Sequence, residues 1–285
     1  GEFAWTTSEN YHTYKCTVCG YWDRDAGSMH VFEYATAETM NCKVCGYVHT
    51  HTFGDWQSSA TEHWKDCTKL YRDSYGRIAQ AEYGEKTPHT FDKTGVCTQC
   101  GYQKELTAED GVYLIYDLAD LWLFAAKVNG DEPSANARLM ADIDLEKQHW
   151  TPMGTDTKPY MGTFDGNGKA LTGFRTSATE NNTGLFGVVN GGTVKNFSLD
   201  GGIIVNTADK IHIGSVAGAA KGGAVFSGIE SSVAITGNAV VAKHVGGIVG
   251  SSQFGSGGLL LEKCTFNGSI SALKSGDCIG GILGY

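Results

Sequence analysis

From residue 183 to the end of the chain, apolar and polar residues alternate in short runs that are separated by glycines. A box of two small residues, two mostly hydrophobic residues and a glycine occurs four times. The boxes end at Gly187, Gly218, Gly250 and Gly284, with spacings of 31, 32 and 34 residues. Alternation buries one face of a strand, and a near-constant period stacks equivalent strands as rungs. The pattern predicts a mainly β chain with a right-handed parallel β-helix or related β-solenoid. A propeller is disfavoured because its blades usually need about 40 residues.

Each of the first three boxes is followed by a strand pattern with core positions three residues apart. The aligned pairs are Val194 with Phe197, Ile229 with Ser232, and Leu261 with Cys264. This alignment places Cys264 in the core, and we expect Cys264 and Cys278 to be free thiols. It also gives Glu230 and Glu262 the same slot, one rung apart. Lys195 holds that slot in the first coil, which favours a solvated ladder on the outer face.

Residues 105–182 predict the start of the solenoid. A helix is predicted over residues 116–128, because apolar residues there fall at helical spacing. Residues 138–145 mostly alternate, in the manner of a first strand. Residues 161–171 predict strand, turn and strand, with Asp165-Gly166 and Asn167-Gly168 supplying the positive φ of a tight turn. We expect the helix to cap the open end of the solenoid.

The composition changes along the chain, which is long for one domain at 285 residues. All Cys-x-x-Cys pairs lie before Tyr102, whereas most glycines lie from Gly154 onward. We therefore predict a boundary near residue 105. The predicted segments are a cloning scar (1–3), two zinc-ribbon-like units (4–50 and 51–104), and a solenoid with a helical cap, truncated at its C-terminus (105–285).

Three Cys-x-x-Cys-Gly-Tyr motifs begin at Cys16, Cys42 and Cys97. Two thiolates three positions apart can bind one tetrahedral metal ion, and the following glycine permits the tight turn between them. A fourth motif is hidden, because Ser59, His63 and Cys67 repeat the spacing of Ser8, His12 and Cys16, with Leu70 in place of the second cysteine. The region also repeats a His-x-Phe triplet, at His30, His51 and His89. These features indicate a tandem duplication.

We predict two structural zinc ions in this region. The ligands of the first are Cys16, Cys19, Cys42 and Cys45, and those of the second are His63, Cys67, Cys97 and Cys100. Disulfides are the alternative, but seven cysteines cannot all pair internally. Four protein ligands leave no open position for a water molecule, so neither ion is expected to be catalytic.

The net charge of −9 and the lack of a Lys/Arg run argue against nucleic acid or anionic lipid as partners. No stretch of about 18 apolar residues is present, so we expect no membrane insertion. The chain contains no His-Glu-x-x-His motif or recognisable serine, histidine and acid grouping. We therefore expect a non-catalytic protein.

From about Leu106 to its end, the chain resembles the GLUG-motif repeats of Gram-positive surface proteins and of regions beside immunoglobulin A metallopeptidases. The segments that carry the resemblance are Trp150-Thr-Pro-Met-Gly154, Phe164-Asp-Gly-Asn-Gly168, Gly184-Leu-Phe-Gly187 and Val194-Lys-Asn-Phe197. The Cys/His units resemble zinc-ribbon-like repeats in secreted proteins of gut Clostridia. These resemblances imply a secreted or wall-attached modular protein that takes part in adhesion or host contact. They do not imply peptidase activity, because the peptidase's zinc motif has no counterpart here.

Three functions remain open from the sequence. The favoured one is an extracellular module that binds a host glycoprotein, an immunoglobulin or a polysaccharide through its solenoid surface. The second is a polysaccharide-active β-helix enzyme, for which Glu230 and Glu262 are the candidate carboxylate pair. The third is a structural spacer. The residues that bind a ligand are not identified by the sequence.

Overall fold

The computed structural model describes most of the chain. The described residues are 3–7, 11–17, 22–29, 32–34, 39–50, 52–67, 71–72, 78–79, 86–178, 181–205, 212–237, 244–252, 257–271 and 278–285. They fall into two compact units. The first consists of residues 1–90 with 97–102, and the second of residues 91–96 with 103–285.

The first unit consists of short antiparallel sheets. Its strands are β1 (Phe3–Thr7), β2 (Tyr11–Cys16), β3 (Trp22–Met29), β4 (Phe32–Tyr34), β5 (Thr39–Cys42), β6 (Val48–Thr50), β7 (Phe53–Ser58), β8 (Glu62–Cys67), β9 (Tyr71–Arg72), β10 (Ile78–Ala79) and β11 (Thr87–Pro88). The sheet orders are β1-β2-β3, β4-β5-β6, β7-β8-β11 and β9-β10. Sheets this small bury little apolar surface, so they need a further source of stability.

The second unit begins with a short hairpin and the predicted helix. Strands β12 (Ala108–Glu109) and β13 (Val112–Ile115) precede α1 (Leu118–Asn129). The helix starts where Asp117 accepts a hydrogen bond from the backbone N–H of Asp120 at 2.9 Å, as an N-cap residue does. Its buried face carries Phe124, whose ring lies against Tyr160 and Phe164 at the start of the solenoid. The predicted cap is confirmed.

The rest of this unit is a β-solenoid of parallel sheets, as predicted. Its strands are β14 (Asn136–Leu139), β15 (Ile143–Asp144), β16 (Thr163–Ser177), β17 (Asn182–Thr183), β18 (Phe186–Asn190), β19 (Thr193–Val205), β20 (His212–Gly214), β21 (Ala217–Lys221), β22 (Val225–Ser231), β23 (Ala234–Gly237), β24 (His244–Gly246), β25 (Val249–Ser252), β26 (Leu260–Glu262), β27 (Thr265–Phe266), β28 (Ser269–Ser271) and β29 (Cys278–Gly280). The largest sheet runs β13-β14-β16-β19-β22-β26, with β15, β23, β27 and β28 alongside. The other two run β17-β20-β24-β29 and β18-β21-β25.

The glycine boxes stack in register, which confirms the predicted repeat. Gly214 pairs with Gly246 and Gly246 with Gly280, while Phe186 pairs with Ala217. At Gly246 a Cβ atom would lie 1.9 Å from the carbonyl oxygen of Val249, so no larger residue fits without a backbone shift. The box thus marks the corner where neighbouring backbones approach most closely.

The strand alignment predicted after the boxes is wrong for the second coil. Val194 pairs with Phe226 rather than Ile229, and Phe226 pairs with Leu261. Consequently Glu230 pairs with Thr265, and Glu262 pairs with Ser227. The two glutamates do not share a slot. The error arises because the turns after the boxes differ in length at little energetic cost, so sequence distance does not fix the register.

Two local predictions also change. Residues 161–171 form no hairpin, because β16 continues through them with a bulge between Asp165 and Lys169. Asn167 and Gly168 do have positive φ, of 52° and 71°, but the chain uses it to bulge rather than to reverse. The predicted strand over 138–145 is split into β14 and β15.

Candidate metal centre and solenoid groove

Four metal-binding side chains meet in the first unit. His63 lies on β8, His89 follows β11, and Cys97 and Cys100 flank a tight turn. Their ligand atoms all lie within 4.8 Å of one another. His63 and Cys97 are buried, whereas His89 and Cys100 are half-buried, so this donor set is only partly shielded from bulk water.

The spacing of these atoms matches a tetrahedral zinc ion. Bonds of about 2.0 Å to nitrogen and about 2.3 Å to sulfur separate two nitrogens by about 3.3 Å and a nitrogen from a sulfur by about 3.5 Å. The Nδ1 atoms of His63 and His89 are 3.2 Å apart. Cys97 Sγ lies 3.6 Å from the Nδ1 of His63, and Cys100 Sγ lies 3.5 Å from that of His89. The group therefore fits one ion of this kind.

Hydrogen bonds on the far side of each imidazole fix its tautomer. His89 Nε2–H donates to the backbone carbonyl oxygen of Ser59 at 3.0 Å. His63 Nε2–H donates to Gln99 Oε1 at 2.6 Å, and Thr87 Oγ1 lies 3.0 Å from the same nitrogen. In the neutral rings, both Nδ1 atoms are then unprotonated and face the two sulfurs. This arrangement is typical of metal-binding histidines, whose second nitrogen donates to an oxygen.

The backbone shapes the cysteine turn. Cys97 N–H donates to the carbonyl oxygen of Tyr102 at 2.8 Å, and Gly101 N–H donates to that of Cys97 at 3.0 Å. Gly101 has a φ of 75°, which its missing Cβ permits. Burial tends to raise the pKa of Cys97. Hydrogen bonds from the backbone of Cys100 and Gln99 are the main contributions that oppose it, and the pKa is lowered to about 6. The turn thus favours the thiolate that a metal requires.

The structure brings together three of the four ligands predicted for this site. His89 is the additional member. Its signal in the sequence is the repeated His-x-Phe triplet, which by itself indicates duplication and not metal binding. The side chain of Cys67 lies outside the described residues, so its predicted role stays a prediction.

The other predicted site is described only in part. Cys42 and Cys45 form a second turn of the same kind, with Cys42 buried. The side chain of Cys16 and the whole of Cys19 lie outside the described residues. The predicted set of four thiolates, and with it the count of two ions, therefore stays a prediction.

A polar groove of about 570 Å³ crosses the solenoid over strands β16, β19 and β22. Its lining residues are Asp165, Asn167, Gly168, Asn196, Phe197, Ser198, Gly228 and Glu230. Asp165 Oδ1 accepts hydrogen bonds from the backbone of Asn167 at 2.9 Å and from Asn196 Nδ2 at 3.2 Å. Burial tends to raise the pKa of Asp165, but these bonds and the Lys195 ammonium, 3.5 Å away, lower it. Sequence reasoning missed this groove because it depends on which coils stack.

Two carboxylates line the groove, those of Asp165 and Glu230, and each accepts a hydrogen bond from an asparagine amide. Glu230 Oε1 accepts a hydrogen bond from Asn267 Nδ2 at 2.8 Å. Asn196 and Gly228 occupy the floor, both with a φ of 61°. A Cβ atom at Gly228 would lie 2.9 Å from Asn196 Oδ1, so the missing side chain leaves room between the two residues. The walls offer both hydrogen-bond donors and acceptors.

No family model matches the chain. It is 35% identical over 89 residues to a predicted Gly-rich membrane protein of Evansella cellulosilytica, over 28% of this chain and 10% of that protein. The chain thus spans about a tenth of that relative. A crystal structure of a predicted immunoglobulin A1 protease from Bacteroides ovatus matches 53% of this chain and 65% of its own, with 17% identity and a TM-score of 0.36. Within the described residues, no helix is long and apolar enough to cross a membrane.

Proposed function

We propose that this chain is a non-catalytic, extracellular module of a bacterial surface protein, secreted or attached to the cell wall, whose solenoid binds a glycan. The glycan belongs to a host glycoprotein, such as an immunoglobulin, or to a polysaccharide. The observation that carries this proposal is the polar groove over three successive coils, with Asn196, Ser198 and Glu230 along it. A solenoid repeats such groups at a spacing of about 4.8 Å, which suits an extended ligand.

The chemistry of the groove favours a neutral or amino sugar over an anionic polymer. Asp165 and Glu230 are both acidic, and the whole chain carries a net charge of −9. Like charges in a shared groove repel, so uronates or phosphate polymers are unsuitable ligands. Hydroxyl groups, in contrast, can donate to the carboxylates and accept from the amide of Asn196.

The strand register supports a binding role over a catalytic one. Glycosidases place two carboxyl groups about 5–10 Å apart across the scissile bond. Glu230 and Glu262, the pair that the sequence offered, lie three positions out of register on neighbouring rungs. The metal group in the first unit supports a structural role, since its four protein ligands would leave no site for a water molecule.

A glycan array with the intact chain tests the proposal. We expect binding to neutral or amino-sugar glycans that is lost in Asn196→Gly and in Glu230→Gln. Glycine at 196 removes the amide but keeps the positive φ, as Gly228 does in the next coil. Lys263→Gly is the matched control, because Lys263 also has a positive φ of 52° but does not line the groove.

Two results would overturn the proposal. No binding to any glycan or serum and mucin glycoprotein would leave only a spacer role. Release of reducing ends or unsaturated uronides from a polysaccharide would instead show an enzyme.

A further inference from the structure

A second groove, of about 520 Å³, crosses the solenoid at β15, β16 and β19. It lies further along β16 than the first groove, at residues 172–175 instead of 165–168. Leu171 of β16 pairs with Ile143 of β15 on one side and with Leu199 of β19 on the other. Because neighbouring strands are about 4.8 Å apart, a ligand in this groove can contact three rungs over about 10 Å.

Glycines line this second groove beside Arg175. Phe174 and Arg175 of β16 pair with Gly201 and Gly202 of β19. A Cβ atom at Gly201 would lie 2.0 Å from the carbonyl oxygen of Phe174, so this position admits no side chain. At Gly202 a Cβ atom would meet only the carbonyl oxygen of Ala234, at an ordinary 3.6 Å. Gly202 therefore has room for a side chain, and its absence leaves space next to Arg175.

Two cations line the groove without an anionic partner. Lys147 and Arg175 are exposed, and within the described residues their side chains form no ion pair or hydrogen bond. Their backbones, in contrast, are held in place. Lys147 N–H donates to the carbonyl oxygen of Gly173 at 3.0 Å, and the carbonyl oxygen of Arg175 accepts from Trp150 N–H at 2.8 Å. Both charged groups are thus positioned beside the groove and are free to bind an anion.

Two carboxylates line the same groove, and the protein uses one oxygen of each. Asp144 Oδ1 accepts from the backbone N–H of Glu146 at 2.8 Å, and Asp200 Oδ1 accepts from Ser232 Oγ at 3.2 Å. The second oxygen of each carboxylate can accept from a hydroxyl group. The lining of this groove therefore combines positive and negative charges, whereas the charged residues that line the first groove are both acidic.

We propose that this second groove binds a sugar acid, which is a sugar ring with one carboxylate among its hydroxyl groups, as in a hexuronate or a sialate. The planar guanidinium of Arg175 binds the carboxylate, and Lys147 adds a second positive charge. Hydroxyl groups of the ring donate to Asp144 and Asp200. Ile204, which is 38% exposed, gives the C–H groups of the ring an apolar surface.

The balance of charges favours one carboxylate over a polyanion. Asp144 and Asp200 repel a ligand that carries several negative charges, such as a phosphate polymer. A single carboxylate is attracted by the two cations and places hydroxyl groups, not charges, next to the two acids. This ligand class differs from the neutral or amino sugars that we propose for the first groove, and it depends on other residues.

Titration of the intact chain with small glycosides, followed by NMR, tests the charge requirement. The probes are methyl glucuronide, methyl sialoside and the uncharged methyl glucoside. We expect at least one of the two acids to bind, and methyl glucoside to bind at least about tenfold more weakly. Comparison of the two acids distinguishes a uronate polysaccharide from a sialylated glycan as the source of the ligand.

Arg175→Gln should weaken binding of the acid at least about tenfold, because it removes a charge-assisted hydrogen bond. Arg138→Gln is the matched control, since Arg138 is also an exposed arginine on a solenoid strand but does not line the groove. Both side chains are exposed, so neither change disturbs the core. Equal binding of the acids and of methyl glucoside, no binding of either acid, or full binding by Arg175→Gln would overturn the assignment.

A steric variant tests the location without changing any charge. Gly202→Thr places a side chain in the space beside Arg175 and should abolish binding of the acid. Gly258→Thr is its control, because a Cβ atom at Gly258 meets no atom within 4 Å and the residue does not line the groove. Unchanged binding by Gly202→Thr would contradict this location. Asn196→Gly and Glu230→Gln should leave binding of the acid unchanged, so failure at one groove is distinguishable from failure at the other.

Discussion

Replacing His89 by alanine tests the ligand set of the candidate metal centre most directly. The change removes the one nitrogen that sequence reasoning did not assign, and leaves Cys97 and Cys100 in place. A structural zinc site contributes about 10–16 kcal/mol, so an equal share among four ligands is about 3 kcal/mol. Such a loss corresponds to a zinc affinity lower by about two orders of magnitude.

Protection of the thiols from alkylation reports on this site separately from the predicted site that includes Cys42 and Cys45. The zinc-loaded chain is treated with chelators of increasing strength, and alkylation of Cys97 and Cys100 is read by peptide mass spectrometry. We expect His89→Ala to expose both thiols at a zinc activity about a hundredfold higher than the wild type does. His149→Ala, at an exposed position in the solenoid unit, is the control.

Cys67→Ala gives the decisive comparison. Cys67 lies four residues beyond His63 on β8, so the strand rise places their Cα atoms about 13 Å apart. We expect its removal to leave the protection of Cys97 unchanged. If Cys67→Ala exposes the two thiols and His89→Ala does not, the cluster seen in the structure is not the metal site.

Three further predictions follow from single contacts. Gln99→Ala removes the oxygen that accepts from His63 Nε2, and should weaken zinc binding about 10–100-fold in the same assay. Gln148→Ala, at an exposed position in the solenoid unit, is the control. Gly246→Ala should destabilise the chain by about 3 kcal/mol or more in thermal unfolding, because the new Cβ atom would lie 1.9 Å from the backbone oxygen of Val249. The control is Gly281→Ala, at the second position of the last box, where a Cβ atom meets no atom within 4 Å and should change the stability little. Asp165→Asn should cost less than about 1 kcal/mol near pH 7. Since the folded pKa of Asp165 is lowered, its contribution is present above the unfolded value of about 3.9 and is lost as the pH falls below it. The difference in melting temperature should therefore shrink in acid, and an unchanged difference at pH 2 would contradict this reasoning.

The sequence predicted those parts of the solenoid that depend on local chemistry. The boxes were visible because Gly214, Gly246 and Gly280 lie where backbones approach too closely for a side chain. The helix was visible because its buried residues keep helical spacing over three turns. In both cases a short-range steric or periodic rule decides the residue type.

The metal site was only partly predictable because its geometry is not local. His63 and His89 are separated by 26 residues, and the antiparallel pairing of β8 with β11 brings them together. Spacing rules count cysteines along the chain, and they select Cys67 because it resembles half of a Cys-x-x-Cys pair. His63 and Cys67 lie on the same extended strand, β8, and are therefore too far apart to bind one ion. The polar sequence of this strand does not identify it as extended.

One backbone feature accounts for both the alignment error and the groove. Asn196, Gly228 and Lys263 each have a positive φ at the same point of successive coils. At this point the strand stops alternating, so core residues on either side lie three positions apart, as Val194 and Phe197 do. A pattern search that allows two core residues three positions apart also accepts a strand alignment that is shifted by three residues. This explains why Ile229 was aligned with Val194, although it pairs with Phe197. The same outward-facing residue does not pack in the core, so its identity is free to vary from coil to coil. Asn196 and Gly228 thus line the groove, whereas Lys263 has the same position in the next coil and lies outside it.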